Sequence, residues 1–135
     1  MKQAVGFVFA LALAAGACSS DTQVPPAPTP VPASITDTFT GTLTVGGTSA
    51  QPFIVQQTGH VTVTLNSMDP SVPVGVGIGT PSTGGCALVN RQSPVVAGPS
   101  PALSGIALKG SLCVTVYDIG NLTSPATYTL TVFHS

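Results

Sequence analysis

The chain is built from short runs in which apolar and polar residues alternate one by one, and this period of two constrains its fold more than any other feature. Successive side chains of a strand point to opposite faces, so such a run is a strand with one face on a core. In Thr38-Phe39-Thr40-Gly41-Thr42-Leu43-Thr44-Val45, Phe39, Leu43 and Val45 share one face and the threonines share the other. Residues 60–66 repeat the pattern with Val61, Val63 and Leu65 inward, and residues 127–133 repeat it with Tyr128, Leu130 and Val132 inward. Further strands are expected over residues 52–57, 74–79, 86–89, 103–108 and 111–118. Gly46-Gly47, Thr58-Gly59, Asp69-Pro70, Thr83-Gly84-Gly85, Lys109-Gly110 and Asn121 to Pro125 punctuate the runs, and a Pro- and Ser-rich connection passes through Pro94, Pro99 and Pro101. No stretch repeats every 3.6 residues. About eight short strands with turn signals between them predict an all-β fold, a single antiparallel β-sandwich of jelly-roll or immunoglobulin-like type. It occupies residues 35–135, enough chain for one small core.

Val74-Gly75-Val76-Gly77-Ile78-Gly79 is an unusual strand, because every outward position is glycine. Glycine inside a strand marks a bulge or a close approach. The run is expected to be packed over or sharply twisted; the other reading is a bare surface against which something flat could lie.

The N-terminal part reads differently. Lys2 is followed by an uncharged apolar stretch that ends at Ala17, too short for a membrane-spanning helix and suited to a secretory signal. It closes on Ala14-Ala15-Gly16-Ala17-Cys18, which resembles the lipobox of bacterial lipoproteins. The resemblance implies cleavage after residue 17, a diacylglycerol on Cys18, and anchoring in a membrane by several acyl chains, each buried CH₂ adding about 0.8 kcal/mol. Ser19 after the cysteine implies the outer membrane of the bacterial envelope. Residues 18–34 carry Pro25, Pro26, Pro28, Pro30 and Pro32, which exclude helix and sheet and predict a disordered, extended tether of up to about 50 Å. With Cys18 lipidated, Cys86 and Cys113 remain as an even pair in an oxidising compartment and are expected to form a disulfide; the alternative is two free buried thiols.

The order of the strand motifs resembles the bacterial pre-peptidase C-terminal domain. Phe39-Thr40-Gly41-Thr42-Leu43 is similar to its opening strand, and Pro52 to Val55 with Gly59 to Leu65 to its second unit. Lys109 to Tyr117 and Ala126 to Val132 are similar to its closing motifs. The resemblance implies a jelly-roll-like accessory module for targeting, binding or secretion, without catalysis.

Composition narrows the function. Of 135 residues only 5% are charged, with 3 Lys+Arg, 4 Asp+Glu and no Trp. No basic patch exists to meet phosphates, so a nucleic-acid partner is excluded. Glu is absent, no Gly-x-Ser-x-Gly elbow occurs, and the acids and bases of the folded part are Asp37, Asp69, Asp118, His60 and His134, with both histidines expected at exposed edges. Neither a metal set nor a cofactor motif is present. Tyr117 and Asp118, with Asp69, are the candidate ligand contacts. The expectation is a non-enzymatic envelope lipoprotein with a binding or structural β-sandwich. A glycan- or peptide-binding accessory module is the alternative, and an unrecognised hydrolase a poor third.

Overall fold

The structure, a computed structural model, describes residues 23–135. The signal segment and Cys18 lie outside the described residues. Residues 23–34 have no regular structure and are exposed. Eight strands follow: β1 (Ile35–Leu43), β2 (Thr48–Val55), β3 (Gly59–Asp69), β4 (Val74–Ser82), β5 (Gly85–Val95), β6 (Leu103–Ala107), β7 (Gly110–Tyr117) and β8 (Ala126–His134). They form two four-stranded sheets in the orders β1-β8-β3-β6 and β2-β7-β4-β5.

The pairing identifies the architecture. β1 pairs with β8, β2 with β7, β3 with β6 and β4 with β5, all antiparallel. The chain is thus one long hairpin whose successive pairs fall in alternate sheets, with β3–β8 and β4–β7 contacts completing each sheet. This is a jelly roll, the first of the two sandwich types expected from the strand pattern.

The core is written by strand parity. Val61, Val63 and Leu65 of β3 meet Leu130 and Val132 of β8 on one inner face, and Val74, Val76 and Ile78 of β4 meet Val114 and Val116 of β7 on the other. All of these are buried. Threonine fills the outer face of the first sheet, where Thr38, Thr40 and Thr42 stand opposite Thr131, Thr129 and Thr127. Hydroxyl ranks on a pleated surface are how a chain with so few charges presents water-compatible strands.

Three expectations are corrected. Val45 is not on the core face: β1 ends at Leu43, and Val45 is exposed in the turn held by the Gly47 N–H to Thr44 carbonyl bond. β5 does not stop at residue 89 but runs to Val95, through Pro94. As an edge strand it has a side free of ladder bonds, which is where proline is tolerated. His134 is not at an exposed edge. It continues the inward series Ala126, Tyr128, Leu130 and Val132 and is 1% exposed. Its ring lies 5.3 Å from that of Phe53, and its Nε2 is 3.0 Å from Asp37 Oδ2. His60 is exposed as expected.

Cys86 and Cys113 are joined, with Cα atoms 5.9 Å apart. The bridge ties β5 to β7, the two strands that flank β4. The span from Val31 to Ser135 forms a compact unit by itself. Every core residue and both bridging cysteines lie in it, so it has what an independent fold requires.

Candidate functional site

Two concave regions lie on the second sheet and its margins. The first is a cleft of about 420 Å³ between the free edges of the sandwich, β6 on one side and β5 on the other. Its origin is a single missing side chain. In β6, Leu103 and Ala107 point into the core, and Gly105 occupies the inward position between them, directly opposite buried Val61. A Cβ built on Gly105 would meet no atom within 4 Å. The core row that should close the gap between the sheets is therefore open here. The cleft reaches Val61 and Val63 of β3, Ile78 of β4 and Leu112 of β7. Its rim carries exposed apolar groups, with Val89 77%, Ile106 70% and Leu108 71% accessible. Lys109, just beyond β6, lines the same cleft. A volume within the roughly 300–1,000 Å³ of small-molecule sites, apolar walls and one charged group fit a binding site.

The second region is a groove of about 500 Å³ on the outer face of the β2-β7-β4-β5 sheet, and it brings together Tyr117, Asp118 and Arg91. Here the glycine run of β4 finds its explanation. The Tyr117 ring covers Gly75, the Leu88 side chain covers Gly77, and the Ala87 carbonyl packs on Gly79 beside a bulge in the β4–β5 ladder. A Cβ on Gly77 would stand 2.7 Å from Leu88 Cδ1, and those on Gly75 and Gly79 would collide outright. The flat object lying on this surface is the protein's own tyrosine. Thr115 forms part of the groove floor; it is 2% exposed, and its hydroxyl has no hydrogen-bond partner among the described residues.

Asp118 organises the loop after β7. Its Oδ2 accepts the Gly46 N–H at 2.8 Å, and its Oδ1 accepts those of Gly120 at 2.9 Å, Asn121 at 3.0 Å and Leu122 at 3.2 Å. These donors, the Gly46 N–H first among them, hold its carboxyl below the ordinary carboxylate range against a smaller opposing effect of desolvation. Gly46 and Gly120 adopt φ of 65° and 94°, which brings their N–H groups to the carboxylate at little steric cost. Asp69 does not line this groove. It ends β3 and lines a separate depression with Thr127 and Tyr128. Buried Tyr128 spans the sandwich, its hydroxyl 2.6 Å from Ser49 Oγ.

Acid–base chemistry has little to work with. The one imidazole–carboxylate contact among the described residues is His134 with Asp37, and that imidazole is buried beside Phe53. Among those residues, no three His, Cys, Asp or Glu side chains gather closely enough to hold a metal ion.

The Gly105 cleft was missed at the level of sequence, although the signal was there: a glycine at an inward position of a strand whose neighbours are Leu and Ala. No protein-family model matches the chain, the pre-peptidase C-terminal domain included, and no curated protein matches it. Among solved structures the chain is similar to PliG of Aeromonas hydrophila, a periplasmic lysozyme inhibitor of g-type lysozyme. The TM-score is 0.52 at 14% identity, over 72% of this chain and 83% of that one, so the likeness is one of fold.

Proposed function

We propose that the protein is a non-enzymatic bacterial envelope lipoprotein, anchored through Cys18 and displaying its jelly roll as a binding module on the Pro-rich tether. The observation that carries the binding reading is the apolar cleft opened at Gly105. A core gap bordered by exposed Val89, Ile106 and Leu108 lowers stability and solubility, and a ligand that fills it offsets both. The Cys86–Cys113 bridge supports an oxidising compartment outside the cytoplasm. The likeness of fold to PliG, a lysozyme inhibitor, favours a non-catalytic role. A protein partner of the lysozyme kind is the second reading, favoured by the apolar rim of the cleft.

The test has two parts. The full chain should fractionate with membranes, and the Cys18→Ser variant should be soluble; membrane retention of that variant would remove the anchor. The 31–135 domain should enhance the fluorescence of anilinonaphthalene sulfonate, an anionic apolar probe, and Gly105→Leu should abolish the enhancement. No enhancement in the parent, or equal enhancement in the variant, would remove the cleft as the binding site.

A further inference from the structure

The shape and charge of the Gly105 cleft select a ligand class. One wall is the whole of β6, 5 residues long, which at about 3.3 Å per residue makes a trough roughly 17 Å in length. The facing wall comes from Ile78, Val89 and Leu112. No carboxylate lines it. Lys109 stands at the end where β6 turns toward β7, and no carboxylate pairs with it among the described residues. It is one of only 3 basic residues in the chain, so its place at the end of an apolar trough is a specific feature.

We infer that the cleft takes a free medium-chain fatty acid, with the acyl chain along β6 and the carboxylate beside the Lys109 ammonium. This rests on the cleft being the binding site. A methylene chain has no polar group to strip of water against walls that are mostly Val, Ile and Leu, whereas a peptide or sugar would bring more donors and acceptors than Thr80, Asn90, Ser104 and Ser111 can meet. The ammonium supplies the one strong partner, and a carboxylate is the head group it complements. Gly105 makes room for the chain; a side chain at that position occupies the same space.

The test is titration calorimetry on the 31–135 domain with dodecanoate below its micelle concentration. Undecyltrimethylammonium, with the same eleven-carbon tail and the opposite charge, and acetate, with the head alone, are the comparison ligands. Dodecanoate should bind one to one, roughly fivefold tighter than the cationic amphiphile, and acetate should not bind. Lys109→Met should bring the two amphiphiles level, and Gly105→Leu should weaken dodecanoate by more than about tenfold. Absence of saturable dodecanoate binding, full affinity in Gly105→Leu, or equal affinity of both amphiphiles for the parent would overturn the inference. If the anilinonaphthalene probe binds the parent and dodecanoate does not, the fatty-acid assignment falls and the cleft stands. If neither binds, both fall.

Discussion

The same substitution placed at two glycines should move stability in opposite directions. Gly105 and Gly75 both lie in strands, but a Cβ on Gly105 meets nothing within 4 Å while one on Gly75 collides with the Tyr117 ring. For Gly105→Leu, burying a leucine side chain contributes about 1.5–3 kcal/mol when complete. The cleft is open on one side, so the lower half of that range applies. Loss of glycine's freedom in the unfolded chain adds about 0.4–1 kcal/mol, and fixing the leucine rotamer costs about 0.5–1 kcal/mol. The net is a gain of about 1–3 kcal/mol, which for a domain of this size raises Tm by roughly 5–20 °C. For Gly75→Leu, Tyr117 must leave its seat, and overpacking of this kind costs about 1–3 kcal/mol. Thermal unfolding followed by far-ultraviolet circular dichroism reads both, since the chain contains no Trp to report by fluorescence. A Gly105→Leu variant no more stable than its parent, or a Gly75→Leu variant as stable as its parent, would refute the packing argument at that site.

Replacing both bridging cysteines by alanine reopens a loop of 27 residues and should cost about 3.5 kcal/mol on the chain-entropy estimate, read as a lower urea midpoint; an unchanged midpoint would show that the bridge constrains nothing. Asp118→Ala should lower the Tm at neutral pH by freeing the loop it grips. Because the folded carboxyl titrates below its ordinary value, its contribution is whole above pH about 4 and fades as pH falls through the lowered folded value. The parent and Asp118→Ala stability curves should therefore converge in acid, and a constant gap down to low pH would show that the carboxylate charge is not what holds the loop.

Much of this fold was legible in the sequence, and the reasons for success and failure are local. The sequence alone reads all eight strands, because alternation of Thr with Val, Leu or Phe marks β1, β3 and β8 and turn residues bound the other runs. Which sandwich type the strands build was not legible: β1 pairs with β8 and β2 with β7 across most of the chain, and such register leaves no mark in either strand alone. The sequence alone makes β5 too short because Pro94 looks like a loop residue until the strand is known to be an edge. It places His134 at an exposed edge by its nearness to the terminus, although counting by twos from Ala126 puts it in the core. At the candidate sites, Tyr117 and Asp118 line one groove, and the structural tasks they perform are visible only in space: one ring covers Gly75, one carboxylate gathers four N–H groups. The cleft was overlooked because a gap is the absence of a side chain, and its significance depends on what stands opposite. The scarcity of charge, by contrast, kept its meaning: it left Lys109 as one of two cations in the folded part, and so made its position beside the cleft informative.

The proposed ligand fills the space beside Gly105. Amide chemical-shift mapping of the 31–135 domain during dodecanoate titration tests it most directly. The largest shifts should fall on residues 103–112, with a second group at Ile78 to Thr80 and Val89 to Asn90, and the threonine face of the other sheet should be silent. Shifts centred on Tyr117 and Arg91, on the threonine face, or nowhere would contradict the claim.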